Sequence, residues 1–176
     1  MGINIEIKAR AANVAHQRDL ASRISETPCE RIEQVDTFFE VPHGELKLRE
    51  FAPNRGELIH YHRRCQSAPK RSDYSIVSTS EPVALREMLA RALPTRGVVS
   101  KDRYLYLVGR TRIHFDDVAG IGWFIELEAV LLPGQSEESG RATVTDLMSR
   151  LEVRDADLIE CAYIDLLTAD GSGHPR

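Results

Sequence analysis

Residues 98–131 read VVSKDRYLYLVGRTRIHFDDVAGIGWFIELEAVL, and the alternation within them decides the fold. Gly109 and the pair Gly120 and Gly122 divide the stretch into three strands, Val98 to Val108, Arg110 to Asp116 and Trp123 to Leu131. Links this short leave no room for a crossover, so the strands pair antiparallel. Lys101 and Arg103 share one face of the first strand. Arg110, Arg112, His114 and Asp116 form one row on the second, and Glu126 and Glu128 project together from the third. The opposite face of the second strand is apolar through Ile113 and Phe115. A half-buried sheet normally turns a mixture of Ser, Thr, Gln and scattered charge to water, whereas here the charges recur at spacing two.

Outward from this stretch the pattern repeats. Ile3, Ile5 and Ile7 alternate with Asn4, Glu6 and Lys8, and Leu46 and Leu48 alternate with Lys47 and Arg49. Further strands are expected at Gln34 to Val41, Leu46 to Phe51 and Glu57 to Arg63, separated by His43-Gly44 and Pro53-Asn54-Arg55-Gly56, with a weaker one at Asp73 to Val77. Three amphipathic helices are expected. Asn13 caps the first, through about Ser25, with Val14, Leu20, Ala21 and Ile24 on one side. Ser80 caps the second, with Pro82 in its first turn, a stripe of Leu85, Met88, Leu89 and Leu93, and Pro94 as its stop. Ser136, followed by Glu137 and Glu138, starts the third, with Ala142, Leu147, Met148 and Leu151 as its stripe. The fold class is therefore α+β: an eight-stranded antiparallel β-barrel with three or so amphipathic helices packed outside it.

The chain has 176 residues and is 42% apolar, which suits one domain, over residues 1–168. The Gly- and Ser-containing tail, residues 169–176, has little to bury and is expected to be disordered. A formal charge of −4 excludes a global basic field for a nucleic acid polymer, so any anion site must be local. Cys29, Cys65 and Cys161 form no CxxC pair and no even disulfide framework, which suits a reducing, cytoplasmic setting. No stretch has the apolar length of a signal peptide or a membrane span.

For any single strand, a charged face most simply looks out at water. Five strands sharing the pattern, each with an apolar face that a helix could cover, point instead to a barrel whose inner wall is charged. Such an interior must be wet, internally paired and ready for a charged ligand. Lys8, Lys47, Arg49, Arg63, Lys101, Arg103 and Arg112 together suit several phosphate groups in series, Arg by its planar fork and Lys as a point charge. Glu6, Asp116, Glu126 and Glu128 would repel such a ligand unless Mg²⁺ or Mn²⁺ bridges carboxylate and phosphate.

Taken in order, these motifs resemble the CYTH proteins, which include class IV adenylyl cyclases and thiamine triphosphatases. The resemblance runs from Ile3 to about Leu167. It rests on Asn4-Ile5-Glu6-Ile7-Lys8 against the family's ExExK strand, Leu46-Lys47-Leu48-Arg49, Lys101-Asp102-Arg103, Val108-Gly109-Arg110, Asp116 with Gly120-Ile121-Gly122, and Glu126-Leu127-Glu128. Ala162-Tyr163-Ile164-Asp165-Leu166-Leu167 is similar to the family's closing element. The resemblance implies a triphosphate tunnel. Lys8, Lys47, Arg49, Arg63, Lys101, Arg103 and Arg112 would contact phosphate, while Glu6, Asp116, Glu126 and Glu128 would hold Mg²⁺ or Mn²⁺. Homodimers are plausible by the same resemblance. Asn4 stands where the family has its first acid, which replaces a carboxylate by a carbonyl oxygen.

Glu126, Glu128 and Lys8 are the candidate catalytic residues for hydrolysis of inorganic triphosphate, thiamine triphosphate or ATP. The alternatives are cyclisation of ATP to cyclic AMP and pyrophosphate, and a non-catalytic polyphosphate or nucleotide binder. His60 and His62 read as an outer-face pair. His114 reads either as a general acid or phosphate donor or as a hydrogen-bonded filler. Tyr104, Tyr106 and Tyr163 are expected to pack, Trp123 has no assigned role, and Lys70-Arg71-Ser72-Asp73 reads as a solvated loop near one tunnel mouth.

Overall fold

The computed structural model describes residues 2–63, 66 and 68–169. Cys65 and the tail from residue 170 lie outside the described residues, and Ala169 ends a helix. The strands are β1 (Gly2–Arg10), β2 (Glu30–Phe39), β3 (Glu45–Ala52), β4 (Arg55–Arg63), β5 (Lys70–Thr79), β6 (Thr95–Val108), β7 (Thr111–Val118) and β8 (Gly122–Val130). They form a closed barrel in the order β1-β5-β4-β3-β2-β6-β7-β8, every pairing antiparallel, with β1 sealing the gap between β5 and β8. Closure leaves no strand edge exposed to pair with another chain.

Helix α1 (Val14–Ile24) follows β1, α2 (Pro82–Ala92) follows β5, α3 (Glu137–Arg150) follows β8, and α4 (Tyr163–Ala169) ends the described chain. The outer faces of β1, β7 and β8, with Ile5, Ile7, Ile113, Phe115, Ile125 and Leu127, are buried with Ala21 of α1 and Val144, Leu147 and Met148 of α3. Gly140 permits the close approach of α3: a Cβ there would lie 2.7 Å from Ile5 Cγ1 and 2.8 Å from Leu131 Cδ2. Gly122, at φ +84°, makes the β7–β8 turn in a conformation that L side chains rarely adopt. The caps at Asn13 and Ser136 form as expected, accepting from the backbone N–H groups of His16 and Ser139.

Several local expectations are corrected. The N-cap of α2 is Glu81 rather than Ser80, and its side chain makes no capping bond. Met88 of α2 is 61% exposed, and in α3 the stripe runs through Val144 while Ala142 faces solvent. Lys70 to Asp73 is not a loop but the start of β5, because Lys70 and Ser72 turn inward and are buried. β2 begins four residues before the expected Gln34, where polar residues on both faces hide the period, and pairs there with the long β6. Arg110 is exposed in the β6–β7 turn, outside the row that Arg112 begins. The fourth helix, α4, had not been assigned as one.

Candidate active site

Alternation along the strands sends the charged residues inward. Lys8, Lys47, Arg49, Arg63, Lys101, Arg103 and Arg112 line one cavity together with Glu6, Asp36, Glu126 and Glu128. The space between these side chains, counting what opens to solvent, is about 850 Å³. The register places opposite charges face to face: Lys8 with Glu126, Arg112 with Glu128, Arg103 with Asp116, and Asp36 with Arg49. Directly opposed pairs of this kind favour the register they define. Within the cavity lining, Glu6 and Glu128 form an opposed pair of like charge.

These pairs interleave the basic and acidic side chains around the wall, as an internally paired interior requires. Asp36 accepts from Lys47 Nζ at 2.8 Å and from the Arg49 fork at 2.8 and 2.9 Å. Asp116 accepts from Lys101 Nζ at 2.9 Å, from Arg103 Nε and Nη2 at 2.7 Å each, and from the Tyr163 hydroxyl at 3.0 Å. Glu126 accepts from Lys8 and Arg103, Glu128 from Arg112 Nε at 2.9 Å, and Glu6 from Arg63 at 2.8 Å. Among the described residues, every phosphate-binding candidate thus has a carboxylate partner.

Burial alone would raise the Asp36 carboxyl, but Arg49 and then Lys47 outweigh it and hold it well below the usual range. Asp116 is held down in the same way by Arg103 and Lys101. Burial pushes Lys47 down to about 8 and Lys101 to about 7, with the neighbouring guanidiniums of Arg49 and Arg103 adding to the shift. Burial, then Arg103, depresses His114 well below 6.5, so it is neutral at neutral pH.

His114 is buried, and its Nδ1 faces the two glutamates, 3.8 Å from Glu126 Oε2 and 3.6 Å from Glu128 Oε1. Those ligand atoms lie within 4.8 Å of one another, while Asp116 stands apart with its oxygens committed to cations. Asn4, on the same inner row as Glu6 and Lys8, is buried with its Oδ1 lacking a hydrogen-bond partner.

Spacing did not single out Asp36 or Tyr163. Asp36 is the lone acid in an inner row with Gln34 and Phe38, so no paired charges marked it; its alternation with them was the available signal. Tyr163 was expected only to pack. It does so against Phe124, with ring centroids 4.9 Å apart, but it also carries Lys8 Nζ 3.3 Å above its ring and Lys101 Nζ at 5.0 Å. His60 is exposed, with its Nε2 3.0 Å from the His43 carbonyl, and His62 is exposed on the outer face. Tyr104 stacks on Trp123 at 5.7 Å and Tyr106 meets Phe115 edge-on, all on the outside of the barrel. Among the described residues, no helix is long and apolar enough to cross a membrane.

Solved structures share this architecture. The PH1012 protein from Pyrococcus horikoshii superposes with a TM-score of 0.82 at 21% identity, over 93% of this chain and 98% of that one. A candidate adenylate cyclase from Vibrio parahaemolyticus gives 0.76 at 20% identity, over 94% and 98%. A candidate adenylyl cyclase from Hippeastrum, described as having a dominant triphosphatase activity, gives 0.66 at 14% identity, over 99% and 98%. Among curated proteins, none matches the sequence. A family model does match it, over residues 2–163, so with the closed barrel and its charged inner wall in view, the chain belongs to the CYTH domain family.

Proposed function

We propose that this protein is a divalent-metal-dependent enzyme that holds a triphosphate inside the barrel and hydrolyses a phosphoanhydride of inorganic or organic triphosphate. The observation that carries the reading is the convergence of cations from β1, β3, β4, β6 and β7 on one cavity, where they outnumber the carboxylates. Buried charge is costly even when paired, and an apolar wall would be cheaper, so a cationic interior is best explained by an anionic ligand. Phosphate oxygens would take over the hydrogen bonds that Glu6, Asp36, Glu126 and Glu128 now accept. Asp116 would stay in place, orienting Lys101 and Arg103 from behind.

The residues present fit a hard cation, Mg²⁺ or Mn²⁺. Glu6 and Glu128 oppose each other across two strands, Glu126 adjoins them, and the unpartnered Asn4 Oδ1 is a further oxygen donor. When bound, the cation neutralises charge on the phosphate oxygens and acidifies water. Glu126 or Glu128, once phosphate oxygens have drawn away its lysine or arginine partner, would accept the proton of the attacking water. Lys8, held between Glu126 and the Tyr163 ring, would contact the phosphate that leaves.

Purified protein incubated with tripolyphosphate, thiamine triphosphate and ATP, each with Mg²⁺ or Mn²⁺, tests the reading. Orthophosphate release is expected. Cyclic AMP with pyrophosphate would assign cyclisation instead, and tight binding without turnover would reduce the protein to a polyphosphate or nucleotide binder. The structural neighbours are compatible with a triphosphate-handling enzyme, the Hippeastrum protein being described as mainly a triphosphatase.

A further inference from the structure

We propose that His114 is itself a metal ligand, its Nδ1 joining Glu126 and Glu128 around one divalent cation and biasing the site from Mg²⁺ towards first-row transition ions such as Mn²⁺. This rests on the metal-assisted reading above and deepens it. Neither the sequence nor the family resemblance assigned the imidazole this part. Of its two sequence readings, a filler would be hydrogen-bonded, yet His114 Nδ1 is buried and has no hydrogen-bond partner. A donor to phosphate would have to aim at the cations' ligand, whereas Nδ1 faces two carboxylates at 3.6 and 3.8 Å, too far to bond them.

Those separations are about an ångström or less from those of atoms that share an ion, a gap that side-chain adjustment closes. Ligands at about 2.1–2.2 Å from an octahedral centre lie about 3 Å apart when adjacent and about 4.3 Å when opposite. The three ligand atoms here fall within 4.8 Å of one another. The strands hold them there: His114 is directly opposite Glu126 in the β7–β8 register, and Glu128 is the next inward residue on the same strand. An imidazole among the carboxylates also changes what the site prefers. Mg²⁺ strongly favours an oxygen shell, while first-row transition ions accept nitrogen readily.

Pulsed EPR on the intact protein loaded with Mn²⁺ tests this without reference to turnover. A nitrogen hyperfine coupling of the size given by a coordinated imidazole is expected. Mn²⁺ bound without that coupling, or no Mn²⁺ bound at all, overturns the assignment. In His114→Gln, which offers an oxygen in place of the nitrogen, the coupling should vanish and the ratio of Mg²⁺ to Mn²⁺ dissociation constants should fall by about tenfold. Equal weakening of both metals would make His114 merely structural. The function stands or falls separately: coupling without turnover of any triphosphate would sink the hydrolase reading and leave the ligand in place.

Discussion

Asp36 shows how one buried carboxylate organises two cations, Lys47 at 2.8 Å and the Arg49 fork at 2.8 and 2.9 Å. Removing its charge leaves both without their counter-ion, so Asp36→Asn should lose roughly 3 kcal/mol of unfolding free energy in urea, and tripolyphosphate should restore more of it than it adds to the native protein. Lys47 carries the opposite liability. Its pKa falls from an ordinary 10.5 to about 8, so between those values the folded state binds fewer protons than the unfolded one. Stability attributable to Lys47 therefore rises with pH across that window, and the cost of holding it charged is fully present below about pH 8. Urea midpoints measured from pH 8 to 10 should climb in the native protein relative to Lys47→Met; parallel curves would remove Lys47 from the balance. Charges paired at spacing two were legible in the sequence, as at Lys47 and Arg49. Their counter-ions were not, because a partner across a strand pair leaves no mark along the chain, and Asp36 has no acidic neighbour on its own face.

Among the helices, α4 was the least legible and lies nearest the chemistry. Its seven residues are too short for a periodic signal, and it is held by tertiary contacts: Asp165 accepts from the Ala162 N–H at 2.7 Å, and Arg96 bridges Asp165 to Glu45. Tyr163, Ile164 and Leu167 pack against Phe38, Val99, Val118 and Phe124, whose side chains occupy the barrel interior, so α4 closes one end of it. Tyr163 thereby reaches Asp116 and supports Lys8. Tyr163→Phe keeps the ring and loses one hydrogen bond among several to Asp116, so a loss of about 1 kcal/mol in chemical denaturation is expected. A much larger loss would show that the hydroxyl, not the cations, fixes Asp116. The strands were more legible where one face was apolar, as in β1 and β7, than where both were polar, as in the first residues of β2 and β5. In α2 the apolar stripe overstated burial, since Met88 faces solvent.

At the scale of the molecule, short turns and alternating faces implied the antiparallel barrel, and helices over the apolar outer faces implied its closure; both are present. What the sequence could not convey is which carboxylate the register gives each cation; every cation has a partner, yet cations remain in excess along the wall. A triphosphate must therefore exchange partners on entering, not merely fill a positive hole. Calorimetric titration of the protein with tripolyphosphate and Mg²⁺ or Mn²⁺ tests this most directly. One ligand per chain should bind, with affinity reduced at least tenfold in Arg103→Met and Arg49→Met, each checked for folding. Absence of binding, or binding equally tight in both variants, would place any triphosphate outside the barrel and contradict the account.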